Sequence, residues 1–286
     1  MYYALIIISV IMFGVCFACN DIYQKVRGNT VKVSVQFSLL SSFAGLVVLL
    51  IVNKFKFEYT HYTLFMAFIQ YLISIGFTFC SFKSLGVINL SLYSLFSMLG
   101  GMVLPFLQGI LFYGEQMTVA KAICLVFIIV ALLLTVERGE KSKGYIYYAG
   151  IFVLNGMTGV IAKLFVESKY PKTSSAGFSI LSCLVNVIIS LVILAVFFRH
   201  KQTPKETAKS LCSALFNGAT NRIANYVLLI ALMHVEASVQ YPMVTGGVMI
   251  VSTVISYFGK NKPTVKEIIS VGLAFIGMLA LFAIPI

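Results

Sequence analysis

Charge is what this sequence has least of, and acidic residues are the scarcest charges. Only 10% of its 286 residues are charged, with nine Asp and Glu against 21 Lys and Arg, whereas 60% are hydrophobic and the mean hydropathy is +0.99. A soluble fold of this length needs far more polar surface. The composition excludes a soluble globular protein. It predicts a multi-pass integral membrane protein, which we expect in a bacterial-type plasma membrane.

Metal-ligating and nucleophilic residues are also few. The three histidines fall at the ends of apolar runs, and the six cysteines lie inside such runs. Cys16 and Cys19 form a CxxC pair, but no second pair and no nearby histidine accompanies it, so helix packing explains it better than redox or metal chemistry. We therefore expect no catalytic site, no metal and no cofactor, and we predict that the protein is not an enzyme.

The net charge of +12 does not indicate a nucleic-acid partner. The basic residues cluster in the segments between apolar runs, where membrane topology and anionic lipid head groups account for them. The expected partners are the lipid bilayer and a small-molecule substrate, with no nucleic acid.

Ten apolar runs of about 20 residues divide the chain, and each is long enough to cross a bilayer. The runs cover roughly 2–24, 33–53, 62–83, 88–113, 119–136, 145–167, 176–198, 208–234, 237–259 and 265–285. The predicted fold class is therefore all-α, an integral membrane protein with ten transmembrane helices. Five runs fall in residues 1–138 and five in residues 144–286.

The two halves resemble each other in sequence. Phe112-Tyr113-Gly114-Glu115 at the end of the fourth run returns as Tyr257-Phe258-Gly259-Lys260 at the end of the ninth, and a Gly-Gly pair precedes each. Because each half has an odd number of spans, the second half enters the membrane with the opposite orientation. The sequence thus predicts two inverted-topology five-helix repeats, an arrangement typical of transporters.

The first helix of each half carries a further motif. Gly156 and Lys163, seven residues apart, lie in the sixth run, and Gly14 and Asp21 take the matching places in the first run. This glycine-to-lysine spacing resembles that of the ten-helix EamA-type members of the drug/metabolite transporter (DMT) superfamily, in which a tryptophan often precedes the glycine. Phe13 stands in its place here.

The fourth helix of each half supplies a second likeness. EamA-type members usually end it in Gly-Glu, which Gly114-Glu115 matches and Gly259-Lys260 does not. The family's proline, about thirteen residues before that glutamate, is missing. The resemblance covers nearly the whole chain. It implies transport of a small solute through a cavity that the third and eighth helices help to line, but it does not fix a substrate.

Arg222, near the middle of the eighth run, is the most informative single residue. A guanidinium in hydrocarbon costs about 3 kcal/mol on insertion scales, so it needs a polar cavity or a partner. We predict that Arg222 binds a substrate carboxylate or phosphate, because guanidinium makes bidentate contacts with planar oxyanions. The alternatives are an ion pair with Asp21 or Glu236, or a cap on the carbonyls of a broken helix.

Other polar residues extend this candidate site. Asn225 and Tyr226 share a helix face with Arg222 through spacings of three and four residues. The asparagines would either orient a ligand or bond neighbouring helices, and Lys163 would either face the cavity or snorkel to the surface. The predicted substrate-binding residues are Arg222, Asn221, Asn225, Tyr226, Asn217, Lys163 and Asn155.

Two further roles are predicted. Asp21, near the far end of the first run, is a candidate for proton coupling, and the alternative is an ordinary helix-end carboxylate in water. Four glycines remove side chains from mid-helix positions and would permit close helix packing or hinge bending. They are Gly100, Gly101, Gly246 and Gly247.

The sequence therefore favours a secondary transporter of a small organic metabolite, amino-acid-like or otherwise anion-bearing, that works by alternating access. The alternative on the same fold is an exporter of cationic drugs or a lipid-linked sugar flippase, with Asp21 as the charge partner. A membrane enzyme or receptor is the least favoured class, because no acid/base pair or metal ligands converge in the sequence.

Overall fold

The computed structural model describes residues 2–114, 117–135, 145–199, 206–232, 237–259 and 262–283, and these ranges contain ten α-helices and no strand. The helices are α1 (Tyr2–Arg27), α2 (Val31–Val52), α3 (His61–Leu85), α4 (Leu90–Tyr113), α5 (Val119–Thr135), α6 (Tyr145–Glu167), α7 (Ser175–Phe197), α8 (Ala208–Leu232), α9 (Ala237–Phe258) and α10 (Val265–Ala283). Each one matches a predicted apolar run to within three residues at either end. The predicted all-α fold is confirmed.

Six of the described helices, α1 to α4, α6 and α7, are long and apolar enough to cross a bilayer. Shorter apolar stretches lie in α5, over Val119–Leu134, and in α9, over Met243–Phe258. Helix α8 carries Arg222 and three asparagines, which lower its hydropathy. The helices make the chain a multi-pass integral membrane protein. That all ten cross, and that the membrane is of the bacterial type, stay predictions.

Short polar segments begin several of these helices. Thr30, Thr60, Asn89 and Ser174 precede α2, α3, α4 and α7, and each side chain accepts a hydrogen bond from the backbone N–H three residues further on. This capping satisfies one of the N–H groups that a helix start leaves without a partner. Gly114 ends α4 with φ +66°, a left-handed conformation that favours glycine.

Most of the packing joins helices from different halves of the chain. α1 packs against α8 and α9, and α6 packs against α3 and α4. α2 packs against α7 and α8, and α3 also packs against α7. α4 packs against α9, and α5 packs against α10. Shifting every helix number by five turns this set of pairs into itself. The two halves therefore interleave in one bundle.

Candidate functional site

Helix α8 presents its polar residues to two helices of the first half. The Ser9 hydroxyl of α1 donates to the Ala224 carbonyl at 3.1 Å, and the Cys16 thiol donates to the Asn217 carbonyl at 3.6 Å. These contacts show that α1 and α8 are antiparallel, with the middle of α1 opposite the middle of α8. Helix α2 packs on the neighbouring side of α8.

Asn217 bonds to both of these helices. Its Nδ2 donates to the Cys16 carbonyl at 2.8 Å and to Asn20 Oδ1 at 3.2 Å, both on α1. Its Oδ1 accepts a hydrogen bond from the Ser41 hydroxyl of α2 at 3.1 Å. The side chain is buried, and both polar atoms of its amide are used. Of the two interpretations of this asparagine, the geometry favours bonding between helices.

Arg222 lies just over one turn further along α8, half-buried against α2. A Cβ built on Gly45 of α2 would lie 3.0 Å from Cγ of Arg222 and 3.2 Å from its Nε. With the residues that the structure describes, the guanidinium makes no hydrogen bond and no ion pair. Asp21 pairs with Lys25 instead, at 2.5 Å, and Glu236 lies outside the described residues. Within the described part of the chain, no residue therefore accepts a hydrogen bond from the guanidinium.

Asn221, Asn225 and Tyr226 surround the arginine on the same helix. Asn225 Nδ2 donates to the Asn221 carbonyl at 2.7 Å and to Asn221 Oδ1 at 3.2 Å. Both bonds stay within α8, and 45% of Tyr226 is exposed. The hydrogen bonds between Asn221 and Asn225 therefore do not join α8 to another helix, whereas those of Asn217 do.

Asn155 and Lys163 lie elsewhere, on α6, which packs against α3 and α4. Asn155 Nδ2 donates to the Ser97 carbonyl of α4 at 2.6 Å. The Lys163 ammonium lies 5.0 Å from the centroid of the Tyr113 ring, a cation–π distance, near the last turns of α4 and α6. These two candidates therefore lie on a helix that packs against α3 and α4, whereas the other candidates lie on α8, which packs against α1 and α2.

Asp21 lies in a cleft of about 130 Å³ between the later part of α1, the start of α4 and the end of α9. Lys25, Asn89 and Ser256 also line this cleft. Lys25 holds the Asp21 carboxylate at 2.5 Å, and Asn89 donates to Glu267 of α10 at 2.7 Å. The cleft therefore contains an ion pair whose charges offset each other.

The glycines of the first half lie where α4 crosses α6. A Cβ on Gly100 would overlap the Phe152 carbonyl oxygen, and one on Gly101 would lie 2.8 Å from Nδ2 of Asn155. At Gly100 backbone atoms of α6 occupy the space that a side chain would need, and at Gly101 the side-chain amide of Asn155 borders it.

The glycines of the second half meet two different helices. Gly246 faces Phe275 of α10 closely, and a Cβ on Gly247 would lie 2.8 Å from Val10 of α1. Each of the four predicted glycines thus lies close to atoms of a neighbouring helix. Hinge bending at these positions stays a prediction.

The second half of the chain matches a known protein family. Residues 142–283 align with the EamA-like transporter family. Through this half, the chain belongs to the EamA-like transporter family. No curated protein sequence matches the chain. The resemblance to the DMT superfamily is thereby confirmed, and this family is one of membrane transporters rather than enzymes.

The EamA-like half contains α6 to α10, and so it carries Arg222 and the other predicted substrate-binding residues. The first half contributes the surfaces on which α8 rests. Asn20 of α1 bonds to Asn217, and Gly45 of α2 borders Arg222. The polar surface of the EamA-like α8 is therefore completed by residues of the other half.

One buried charge of this EamA-like protein was missed from the sequence. Arg27, the last residue of α1, is 2% exposed; its Nη2 donates to Gln36 Oε1 of α2 at 2.6 Å and lies 3.1 Å from Glu206 Oε2. The first predicted apolar run ends at residue 24, so the sequence assigns Arg27 to the basic segment that follows it. The signal that could have found it is Gln36, a polar residue within an apolar run.

Proposed function

We propose that the chain is a secondary transporter of a small organic metabolite, and that Arg222 holds the negative group of an anion-bearing or amino-acid-like solute. One observation carries this proposal: a half-buried guanidinium without a polar partner among the described residues. At 1.5 Å per residue, Arg222 lies about 20 Å from the start of α8 and about 15 Å from its end. A cation at that depth is costly unless it serves a passage or a ligand.

The neighbours of Arg222 suit a polar ligand. Asn221 and Asn225 lie within one turn of it and bond to each other, and Tyr226 is the next exposed donor on α8. In the proposed site these side chains orient the solute while Arg222 makes bidentate contacts with its carboxylate or phosphate. Asn217 holds α8 against α1 and α2, and so it positions the site.

The residues on α6 act at longer range in this proposal. Lys163 adds positive potential, since an ammonium in a medium of low dielectric attracts an anion over several ångströms. Asn155 contributes a polar group to the cavity wall near its bond to the Ser97 carbonyl. Asp21 is the candidate for proton coupling.

Alternating access between two inverted repeats is the proposed mechanism. The pairing of helices supports it, because α1 with α8 corresponds to α6 with α3, and α1 with α9 corresponds to α6 with α4. Inverted repeats related by a pseudo-two-fold axis give this correspondence. Helices α5 and α10 pack against each other and would brace the moving helices.

Transport by Arg222→Gln protein in vesicles tests the binding role. The probes are a panel of amino acids, carboxylates and sugar phosphates, first screened for stabilisation of the purified protein, since a ligand of the native state raises its melting temperature. We expect the substitution to lower kcat/KM at least about 100-fold, the loss typical of a buried charged contact. Lys209→Gln, which removes an exposed charge from the same helix, is the matched control. Unchanged transport in the Arg222 variant would refute the proposal.

The second candidate is an exporter of cationic drugs or a lipid-linked sugar flippase with Asp21 as the charge partner. The position of Asp21 in the cleft favours it, and the ion pair with Lys25 weighs against it. Cells that lose drug resistance through Asp21→Asn and keep it through Arg222→Gln would establish this alternative.

A further inference from the structure

Gly45 of α2 lies directly under the side chain of Arg222. A Cβ at this position would lie 3.0 Å from Cγ and 3.2 Å from Nε, both closer than the 3.5–4.0 Å at which heavy atoms attract best. The stem of the arginine therefore runs over the glycine from Cγ to Nε. A methyl group at residue 45 would force the arginine stem to move by a few tenths of an ångström.

The closeness of α2 and α8 has a different origin. One turn before Arg222, a Cβ on Gly218 would overlap the Ser41 carbonyl oxygen of α2, so Gly218 sets how near the two backbones come. A Cβ on Gly45 would lie 3.5 Å from the Gly218 carbonyl oxygen, an ordinary contact. The backbone thus tolerates alanine at residue 45, and the tight contacts are with the arginine side chain alone.

We propose that Gly45 is a positioning residue for Arg222, and that it fixes the orientation of the guanidinium toward the transported anion. Hydrogen bonds to the described residues do not fix this orientation, because the guanidinium bonds to none of them. Its orientation then depends on packing against α2. Bidentate recognition of a planar oxyanion is directional, so a shift of a few tenths of an ångström weakens it. This inference rests on the proposed function of Arg222.

The test compares Gly45→Ala with the wild type in vesicles that contain the full-length protein. The probes are radiolabelled L-glutamate, glucose 6-phosphate and uridine monophosphate, which present a carboxylate or a phosphate. For the probe whose uptake Arg222→Gln abolishes, we expect Gly45→Ala to raise KM about tenfold and to change kcat less than about twofold. Gly272→Ala is the matched control, because a Cβ there meets no atom within 4 Å.

A second arm separates positioning from helix packing. Arg222→Lys replaces the planar fork with a compact charge that needs no fixed plane. In that background we expect Gly45→Ala to change KM less than about twofold. An equal increase of KM in both backgrounds, or a loss of folded protein in Gly45→Ala, would assign the glycine to packing and overturn the inference.

The remaining outcomes distinguish the inference from the proposed function. If Arg222→Gln abolishes uptake and Gly45→Ala leaves KM unchanged, the positioning role is wrong and the proposed function stands. If Arg222→Gln transports normally, the proposed function fails first. If no probe is taken up, the test becomes the rate at which phenylglyoxal labels Arg222. We expect this labelling rate to differ at least threefold between Gly45→Ala and Gly272→Ala. Equal labelling rates would overturn the inference.

Discussion

Two arginines of this protein, Arg27 and Arg222, meet the cost of burial in different ways. Arg27 is 2% exposed at the end of α1 and bonds to Gln36 and Glu206 from two other segments. Arg222 is half-buried in the middle of α8 and bonds to no described residue. A cation that holds a structure together has its counter-charge in the protein. No described residue supplies a counter-charge to Arg222, and the proposed function assigns its donors to a ligand.

The largest effect on stability should come from removing the counter-charge of Arg27. Glu206→Gln leaves a buried guanidinium beside a neutral amide, and we expect the free energy of unfolding to fall by about 2–3 kcal/mol. Loss of a partner to a buried charge typically costs about 3–5 kcal/mol, and the value is lower here because Glu206 is 33% exposed. Thermal unfolding in detergent measures the change.

Asp21→Asn is the control for that variant. It breaks the ion pair with Lys25, whose side chain is 47% exposed, so its cost should stay below about 1 kcal/mol. Equal losses of stability in Glu206→Gln and Asp21→Asn would contradict the view that the buried Arg27 has a structural role.

The contrast extends to the asparagines of α8. Asn217→Ala removes hydrogen bonds to Cys16 and Asn20 on α1 and to Ser41 on α2. We expect the free energy of unfolding to fall by about 1–2 kcal/mol, since each hydrogen bond between membrane helices contributes about 0.6 kcal/mol. Asn225→Ala is the comparison, because its bonds stay within α8. A loss in the second variant as large as in the first would show that position along α8, rather than bonding between helices, determines stability.

Hydropathy was sufficient to predict the helices. A bilayer demands about 20 apolar residues per span whatever the partners, so Ser175–Phe197 could be predicted from its own sequence at 176–198. The contacts that bury single polar residues join segments that are distant in the sequence. Arg27 lies in a basic stretch, and its acidic partner Glu206 is far away in the sequence. Nothing in a local pattern joins them.

Gly45 shows the same limit more sharply. A glycine in an apolar run has no side chain that indicates a role, and its role depends on which residue of the neighbouring helix packs against it. Arg222 could be singled out from the sequence because a charge in hydrocarbon is costly wherever it lies. The choice between a ligand-orienting and a helix-joining role for Asn217 depends on the positions of Cys16 and Ser41, which only the structure gives.

A smaller effect on stability is expected at Arg222 itself. Arg222→Gln removes a charge that has no described partner, so we expect the free energy of unfolding to change by less than about 0.5 kcal/mol, or to rise slightly as the cost of the buried charge disappears. Thermal unfolding without ligand measures this. A loss of more than about 1 kcal/mol would indicate a structural counter-charge such as Glu236, and would make Arg222 resemble Arg27.

The smallest expected effect concerns Glu58, a partly exposed carboxylate shortly before α3. The Ser174 backbone N–H donates to Glu58 Oε2 at 2.6 Å, and this hydrogen bond holds the pKa of Glu58 below its usual range. A carboxyl whose folded pKa is depressed stabilises the protein fully above its unfolded pKa, and that stability disappears as pH falls through the folded value. Between roughly pH 6 and pH 3, the melting temperature of the wild type should therefore fall about 1 °C more than that of Glu58→Gln. Glu167→Gln, at an exposed helix end, is the control, and an identical pH dependence in the wild type and Glu58→Gln would show that this bond does not contribute to folding.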